Sequence, residues 1–485
     1  MRLSTTAVLW SDSGFVYIHN NELHMTTITN AISSRWSSRL SFILASTAAA
    51  VGLGNIWKFP YITGENGGGA FVLVYLVCIL LIGIPVMIAE VVIGRRGRHS
   101  PGHAARVVAK ESGRSSWWQS AGWLGMLTGF LVLSFYTVIA GWALAYVFEA
   151  GAGTFSGAST AAINDTFMAL TGDAKALTFW QTLIVGGTVL VVGNGVKNGL
   201  ERSVRFLLPA MIALLMVVAV YAGVTGDFQA AVNFMFAPDF SRLTVNGVMI
   251  ALGHAFFTLG LASGVVIMYG AYLPKSTSVV QTTLWIAIAD TFVALLAGLA
   301  IFPIVFGSNL IPGAGPGLIF QTLPVAFSTM PAGILIGTTF FVMLVIAAFT
   351  SAIAMIESAV AFLSEQLKIG RWPATLIAGT VLWLFGQLTV YSFSGSSWAQ
   401  LDWVIFGKPI ASIFEFIDYL TSSLLLPLGG LLLAVFVGWV MQSRYSQDEL
   451  DTKPAVFRLW LFCVRWLAPI AITLIFLQLV GVITL

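Results

Sequence analysis

The chain has 485 residues, of which 58% are hydrophobic and 9% are charged. Soluble domains carry about 25% charged residues, so this composition excludes an ordinary soluble enzyme and a nucleic-acid-binding protein. The formal net charge is only +3, and the two cysteines, Cys78 and Cys463, both lie in apolar runs, which excludes a disulfide framework and a cysteine metal site.

Long apolar runs predict an all-α polytopic membrane protein, because a helix needs about 20 mostly apolar residues to cross a bilayer. Eleven such runs follow one another, at residues 39–66, 69–95, 120–150, 178–195, 200–223, 244–273, 279–308, 334–367, 372–392, 411–442 and 456–485. Residues 309–333 contain four prolines and no charge, which predicts an extracellular loop. Residues 1–38 are polar, lack the layout of a signal peptide, and include Met25 as a second candidate start.

The distribution of positive charge predicts the orientation, since lysine and arginine are retained on the cytoplasmic side. With the N-terminus inside, all but four of the 23 lysines and arginines fall on cytoplasmic segments, the four being Lys58, Lys175, Arg242 and Lys408. An odd number of spans then places the C-terminus outside. We therefore expect a bacterial-type inner-membrane protein.

Two of the predicted spans are interrupted, and they are five spans apart. The first contains Gly52, Gly54 and Asn55, and the sixth contains Gly260, Leu261, Ala262, Ser263 and Gly264. Glycine weakens a helix, and backbone groups freed inside a membrane must face protein or a water-lined cavity. Matching breaks in two halves are typical of transporters with an inverted repeat, although glycines also allow close helix packing.

The segment AVGLGNIWKFPY at residues 50–61, followed by ENGGGAF at 65–71, resembles the first span of the neurotransmitter:sodium symporters. This family includes bacterial sodium-coupled amino-acid transporters, and the resemblance covers about residues 35–480. It implies the leucine-transporter fold, with eleven helices, two inverted repeats of five, broken helices 1 and 6, and no enzymatic activity. The expected parts are a cytoplasmic N-terminal segment (1–38), repeat 1 (39–223), repeat 2 with the extracellular loop (224–442), and a cytoplasmic loop with helix 11 (443–485).

The resemblance also implies two sodium ions. Site 1 would use Ala50, Asn55, Thr258 and Asp290 together with a substrate carboxylate oxygen, and site 2 would use Ala48, Val51, Ala347, Thr350 and Ser351. The spacing of Ala347, Thr350 and Ser351 places them on one helix face. From the residues alone, back-bonding of the two hydroxyls to the preceding helical turn is the favoured interpretation, and the resemblance is what favours sodium.

Asp290 is a carboxylate deep in the seventh span, where such a charge costs about 2.5–3.5 kcal/mol on insertion scales and is usually functional. By resemblance, it replaces the chloride of animal members, whose chloride shell corresponds to Tyr75, His254, Thr258, Asp290 and Ala294. The alternative is a neutral, hydrogen-bonded carboxyl. His254 is either a proton relay or a hydrogen-bonded filler of the core.

Gly52 indicates the class of substrate, because monoamine transporters of this family carry an aspartate at the matching position. A glycine leaves room for the substrate's own carboxylate, which the amides of Leu53 and Gly54 and the Tyr136 hydroxyl would bind at a positive helix end. The carbonyls of Ala50, Phe257, Thr258 and Gly260 would bind its ammonium. The side-chain pocket would be formed by Val132, Tyr136, Phe257, Gly260, Ser263, Ser351 and Met355, with Gly260 and Ser263 enlarging it.

Two gates are implied as well. Lys58 would pair with Asp418 across the outer mouth, unless both side chains simply extend to the membrane interface. Glu365 matches an acidic residue of the inner gate, but Ser33 stands where the family has its basic partner, and Arg35 is the nearest substitute. Glu90 is expected to bind backbone amides of the broken sixth span.

The sequence therefore predicts a secondary active symporter that imports a neutral, bulky hydrophobic or aromatic amino acid with sodium and without chloride. Its expected partners are the amino acid and the lipid bilayer, and no nucleic acid. A transporter of another zwitterionic solute, such as an osmolyte, and a non-transporting amino-acid sensor on the same scaffold remain the alternatives.

Overall fold

The computed structural model describes residues 7–11, 14–19, 22–24, 36–310 and 317–482. Within these ranges, nine helical segments are long and apolar enough to cross a membrane. We number them by their place in the chain as span 2 (Gly69–Gly97), span 3 (Ser116–Gly151), span 4 (Ala174–Gly193), span 5 (Val196–Thr225), span 7 (Val279–Gly307), span 8 (Gly333–Leu367), span 9 (Arg371–Phe393), span 10 (Ile413–Val440) and span 11 (Pro454–Leu479).

Span 1 is a broken helix, as predicted from its glycines. Its two halves, span 1a (Arg39–Ala50) and span 1b (Gly54–Glu65), are bent by 51° at a short break. Span 1b begins as a π-helical turn over Gly54–Lys58 and continues as an α-helix over Phe59–Glu65. The freed amide of Gly52 is held by the Asn55 side chain at 3.1 Å, which satisfies a backbone group that the break exposes.

Span 6 is broken in the same way, into span 6a (Val245–Thr258) and span 6b (Val265–Ala271). Three residues of the connection have positive φ angles, namely Gly260 at 62°, Ala262 at 57° and Gly264 at 77°. Glycine adopts this left-handed backbone at little cost, which explains two of the three positions. Counting span 1 as one crossing brings the candidate crossings to ten among the described residues. The two short helices of span 6 lie at the place of the eleventh crossing that the sequence predicts.

The long helices pack around spans 1 and 6. Span 8 runs along span 3, span 7 packs against span 5, and span 9 packs against span 4, while span 6b lies on span 2. Further π-helical turns interrupt the spans at Ile79–Gly83, Val196–Glu201, Leu420–Leu425, Phe436–Val440 and Cys463–Leu467.

The connections contain more structure than the sequence analysis foresaw. Helices occur at Pro101–Glu111, Thr160–Gly172, Phe228–Phe236 and Ser443–Leu450, and the proline-rich segment predicted as a loop folds into Leu318–Thr322 and Leu323–Thr329. An antiparallel hairpin joins Gln400–Ile405 to Lys408–Ser412. Its turn residues Phe406 and Gly407 both have positive φ, as two-residue type I′ turns require. Near the N-terminus, Ala7–Ser11, Gly14–His19 and Glu22–His24 form an antiparallel sheet.

Candidate functional site

The breaks of spans 1 and 6 meet span 7 at one buried polar cluster. The Asn55 side-chain nitrogen donates to Asp290 Oδ1 at 2.8 Å and to Thr258 Oγ1 at 3.0 Å. The Thr258 hydroxyl in turn donates to Asp290 Oδ2 at 2.9 Å. All three residues are at most 1% exposed, so a carboxylate is enclosed by protein at the junction of three spans. These are the three side chains predicted for sodium site 1.

The Asn55 carboxamide is oriented with its nitrogen towards Asp290 and its oxygen towards the Gly52 amide. A cation at this place would be bound through oxygen atoms. The Asn55 side-chain amide would therefore have to flip so that its oxygen, rather than its nitrogen, points towards the ion. The cluster therefore combines one carboxylate, one hydroxyl and one amide, a donor set that suits a hard cation such as sodium.

The residues predicted for sodium site 2 also lie together, where span 8 crosses the break of span 1. The Ser351 hydroxyl lies 3.1 Å from the Val51 carbonyl oxygen and 3.4 Å from that of Ala48. Thr350 donates to the Ala347 carbonyl at 3.1 Å, the back-bonding that the sequence left open as an alternative. The Ser351 hydroxyl thus meets two carbonyl oxygens of span 1, an all-oxygen group of the kind that a sodium ion prefers, and the full ligand set of site 2 stays a prediction.

A cavity opens beside the two breaks. Ten of the eleven residues predicted to bind substrate line it, and Thr258 is the exception; the ten are Ala50, Leu53, Gly54, Val132, Tyr136, Phe257, Gly260, Ser263, Ser351 and Met355. No charged side chain appears among the described residues that line it. The geometry therefore places a mostly apolar pocket next to free backbone groups, while the binding roles themselves stay predictions.

Gly52 is required by close packing as well as by the chemistry inferred for the site. A Cβ atom at this position would lie 2.6 Å from Ser351 Oγ and 2.6 Å from the Tyr136 hydroxyl. The Tyr136 hydroxyl accepts from the Leu53 amide at 3.2 Å. The break of span 1 is thus pressed against spans 3 and 8, and its residues Gly52, Leu53 and Gly54 line the cavity.

Glu90 of span 2 supports the break of span 6, as predicted. Its side chain accepts a hydrogen bond from the Ala262 amide at 2.7 Å, and Glu90 is fully buried. Ala262 has a positive φ angle, a conformation that costs energy for a residue with a Cβ. The hydrogen bond from Glu90 helps to hold the residue in this conformation.

The predicted outer gate is not closed by an ion pair in this structure. Lys58 and Asp418 are both described, and no contact within 4.0 Å joins their charged atoms. Instead, the Lys58 ammonium lies 4.3 Å from the centre of the Phe257 ring, and Asp418 accepts from the Ser422 hydroxyl at 3.0 Å. Lys58 therefore contacts Phe257, one of the residues predicted to form the substrate pocket, and the gate stays a prediction.

Trp36, which is 3% exposed, packs behind residues that line the cavity. Its ring packs edge-on against Tyr269 and Tyr272, with centroids 5.2 Å and 5.9 Å away, and its indole nitrogen donates to the Tyr269 carbonyl at 3.3 Å. The following residue, Ser37, is bound through its amide to Glu201 of span 5 at 3.1 Å.

Glu365, the predicted inner-gate acid, is held by partners that the sequence analysis did not identify. It accepts from the Ser100 amide at 2.9 Å and hydroxyl at 2.5 Å, and it lies 2.8 Å from His103 Nδ1 and 3.4 Å from His99 Nδ1. Ser33 and Arg35, considered earlier as its partners, lie outside the described residues. Two histidines four positions apart, between spans 2 and 3, were the available signal.

Two further buried polar residues are placed by the structure. Glu357, to which the sequence assigned no role, forms a two-pronged ion pair with Arg371 at 2.5 and 3.0 Å and accepts from the Tyr272 hydroxyl at 2.6 Å. The ring of His254 packs against those of Phe59 and Tyr75, which also contact each other, and neither of its nitrogens has a hydrogen-bond partner among the described residues. His254 is therefore not the hydrogen-bonded filler that one alternative described.

Comparison with known proteins identifies the family. The model of the sodium:neurotransmitter symporter family matches residues 33–160 and 174–484. The chain is 35% identical over 454 residues to the uncharacterized sodium-dependent transporter YhdH of Bacillus subtilis, covering 93% of this chain and 98% of that protein. An uncharacterized sodium-dependent transporter of Haemophilus influenzae is 33% identical over 459 residues, covering 93% and 99%.

Among solved structures, the chain is similar to MhsT in complex with L-phenylalanine, with a TM-score of 0.83 and 39% identity over 92% of this chain and 99% of that one. This match confirms the leucine-transporter fold expected from the sequence. The chain belongs to the sodium:neurotransmitter symporter family, and it is a sodium-dependent membrane transporter.

Proposed function

We propose that this protein couples the inward movement of sodium to the uptake of a neutral, bulky hydrophobic or aromatic amino acid by alternating access. The observation that carries the proposal is the cavity at the two breaks, which is apolar along its walls and bordered by backbone groups of Leu53 and Gly54 and by the Tyr136 hydroxyl. An α-amino acid has a carboxylate and an ammonium for such groups and a side chain for the apolar wall. The L-phenylalanine bound to MhsT supports this class of substrate.

Two sodium ions are the proposed co-transported cargo. Ala50, Asn55, Thr258 and Asp290 would hold one ion, and Ala48, Val51, Ala347, Thr350 and Ser351 would hold the other. The hydrogen bonds that join Asn55, Thr258 and Asp290, and those from Ser351 to span 1, support these two groups. Because the first group also borders the cavity through Ala50, binding of the ion and of the amino acid would be energetically linked.

Transport is proposed to proceed without chloride. Two cations beside a zwitterion leave excess positive charge in a site with little water, where a missing counter-charge is costly. Asp290 is fully buried in this cluster and supplies a carboxylate that is part of the chain. This fixed charge would take the role that a mobile anion has in other members of the family.

The proposed membrane orientation has the N-terminus and the cluster around Glu365 in the cytoplasm of a bacterial-type cell, and the C-terminus outside. The charge distribution supports it. Since both native cysteines are buried, a cysteine introduced at Phe406 or Lys110 would be labelled by a membrane-impermeant reagent from one side only. The proposal expects outside labelling at Phe406 and protection at Lys110, and the reverse would contradict it.

A thermal-shift screen of the twenty amino acids, with sodium and with potassium, tests the proposed substrate class. A ligand that binds only the folded state raises its apparent stability by mass action. The proposal expects stabilisation by large neutral amino acids in sodium and none in potassium. Stabilisation by glycine, by charged amino acids or by an osmolyte alone would contradict it.

A further inference from the structure

The antiparallel hairpin at 400–412 connects spans 9 and 10 and lies at the level where neighbouring spans end. Just before it, the Trp398 ring packs 5.2 Å from that of Tyr391 in the last turn of span 9. At its turn, a Cβ atom on Gly481, two residues past the end of span 11, would lie 3.4 Å from the Phe406 carbonyl oxygen. The hairpin therefore sits at the boundary of the membrane.

The hairpin covers the outward side of span 10. The ring of Phe414, in the first turn of that span, packs inward, 5.6 Å from Phe135 of span 3 and 4.8 Å from Phe393 of span 9. Phe416 is two positions further and points to the opposite side, because each helical residue turns by about 100°. Trp403 of the hairpin packs edge-on against Phe416, with ring centroids 5.6 Å apart. The hairpin thus lies on the side of span 10 that faces away from spans 3 and 9.

The surface that the hairpin leaves open is apolar. Trp398 is 55% exposed, Trp403 51% and Val404 70%. Pro409, which pairs with Val404 across the two strands, is exposed as well. We call these four residues the hairpin surface. Clustered apolar side chains that stay exposed mark a site of contact with another protein or with a membrane.

The charges and the neighbouring helix favour a membrane over a protein. Residues 397–412 contain one acid, Asp402, and one base, Lys408, so the segment has no net charge to attract a charged partner. Beside the turn, the exposed apolar surface continues along the end of span 11, where Leu479 is 36% exposed and Val482 66%. Tryptophan is also enriched where membranes meet water. The lipid that surrounds span 11 is therefore in a position to cover the hairpin surface too.

The backbone limits how deep the hairpin can lie. Its sheet has only two strands in the described part of the chain, so each outer strand edge lacks a further strand as partner. Backbone groups on an open edge need water or lipid headgroups, and they are not tolerated in contact with hydrocarbon. The strand edges must therefore stay in the hydrated headgroup layer.

We propose that the hairpin is an interfacial anchor, in which the hairpin surface contacts lipid and the side chains of Trp403 and Val404 reach the upper part of the acyl chains. The strand edges and the turn at Phe406 stay in the hydrated headgroup layer, where water-soluble reagents still reach them. Because the hairpin continues directly into span 10, this contact fixes the depth of the helix that carries Asp418. The proposal does not depend on the identity of the transported solute.

The test measures the depth of a fluorescent probe on the full-length protein in nanodiscs that hold one copy each. A bimane label is attached to Val404→Cys, and the buried Cys78 and Cys463 leave the introduced thiol as the accessible one. Lys110→Cys, at an exposed position of the polar helix Pro101–Glu111, is the matched control. Lipids with a nitroxide near the top of the acyl chain should quench the probe at Val404 severalfold more than at Lys110, and aqueous iodide should give the reverse order.

Two further arms separate insertion from other kinds of contact. Quenching at Val404 should be the same in zwitterionic and in anionic lipid, since the segment has no net charge. Trp403→Ser in the Val404→Cys background should lower quenching by lipid and raise quenching by iodide. Pro409→Cys should repeat the Val404 result from the neighbouring strand.

Three results would overturn the anchor. Quenching by iodide at Val404 and Pro409 as strong as at Lys110 would place the hairpin in water. Protection of both positions from iodide without quenching by lipid would mean that protein covers the hairpin surface. Quenching by lipid in anionic nanodiscs alone would indicate electrostatic adsorption in place of apolar insertion.

Discussion

Gly52→Ala is the most informative single change at the break of span 1. The added Cβ would lie 2.6 Å from both Ser351 Oγ and the Tyr136 hydroxyl, closer than carbon and oxygen tolerate. Both atoms belong to side-chain ends that can move. Each, however, makes a hydrogen bond to the break, from Ser351 to the Val51 carbonyl and from the Leu53 amide to Tyr136, and moving them breaks these bonds.

We expect Gly52→Ala to weaken substrate binding more than it lowers the stability of the fold. Extra methyl groups in a packed interior cost about 1–3 kcal/mol. If the strain is relieved by displacing Tyr136 and Ser351, the same energy appears as weaker substrate binding, which corresponds to a loss of roughly 5- to 150-fold in affinity. The midpoint of thermal unfolding without ligand should change by only a few degrees.

The assay is sodium-dependent binding of a large neutral amino acid, together with a thermal melt of the ligand-free protein. Gly253→Ala is the control, because Gly253 lies in span 6a with nothing within 4 Å of an added Cβ. Alanine is the better helix former, so this variant should be as stable as the wild type and bind normally. Wild-type affinity in Gly52→Ala would refute the placement of the substrate against Tyr136 and Ser351.

Three further predictions concern the ions and the pocket. Asn55→Ala should weaken sodium binding and, through the linkage, substrate binding at sub-saturating sodium. In each variant the factor by which sodium raises substrate affinity should equal the factor by which substrate raises sodium affinity, and unchanged substrate affinity in Asn55→Ala would argue against the site. Ser263→Phe should narrow the pocket and shift preference from aromatic to small aliphatic amino acids, and competition binding that keeps the wild-type order would argue against the pocket assignment. Asp290→Asn combined with Ala294→Ser should make uptake depend on chloride. Wild-type uptake should be unchanged when gluconate replaces chloride. Chloride-dependent uptake by the wild type would refute Asp290 as the fixed counter-charge.

The spans and their breaks were predictable from the sequence because their causes are local. Apolar runs of sufficient length define the helices, and the glycines of spans 1 and 6 mark where helical hydrogen bonding stops. The structure confirms the broken helices within a few residues. The hairpin at 400–412 escaped prediction because Phe406 occupies a turn position with positive φ, where asparagine or glycine is the usual signal.

The pairing of buried charges was not predictable, because it depends on contacts between distant parts of the chain. Glu365 meets Ser100 across 265 residues, and Glu357 joins Tyr272 across 85. The outer gate illustrates the same limit. The motif suggested an ion pair of Lys58 with Asp418, while in the fold the ammonium lies over the Phe257 ring.

The central claim is that a sodium gradient drives accumulation of an amino acid. The most direct test is uptake of radiolabelled tyrosine into proteoliposomes with sodium outside and potassium inside. The account predicts accumulation above the external concentration that disappears when external sodium is replaced by potassium or when an ionophore dissipates the gradient. Sodium-dependent binding without accumulation would indicate a sensor, and accumulation without a sodium gradient would contradict the coupling.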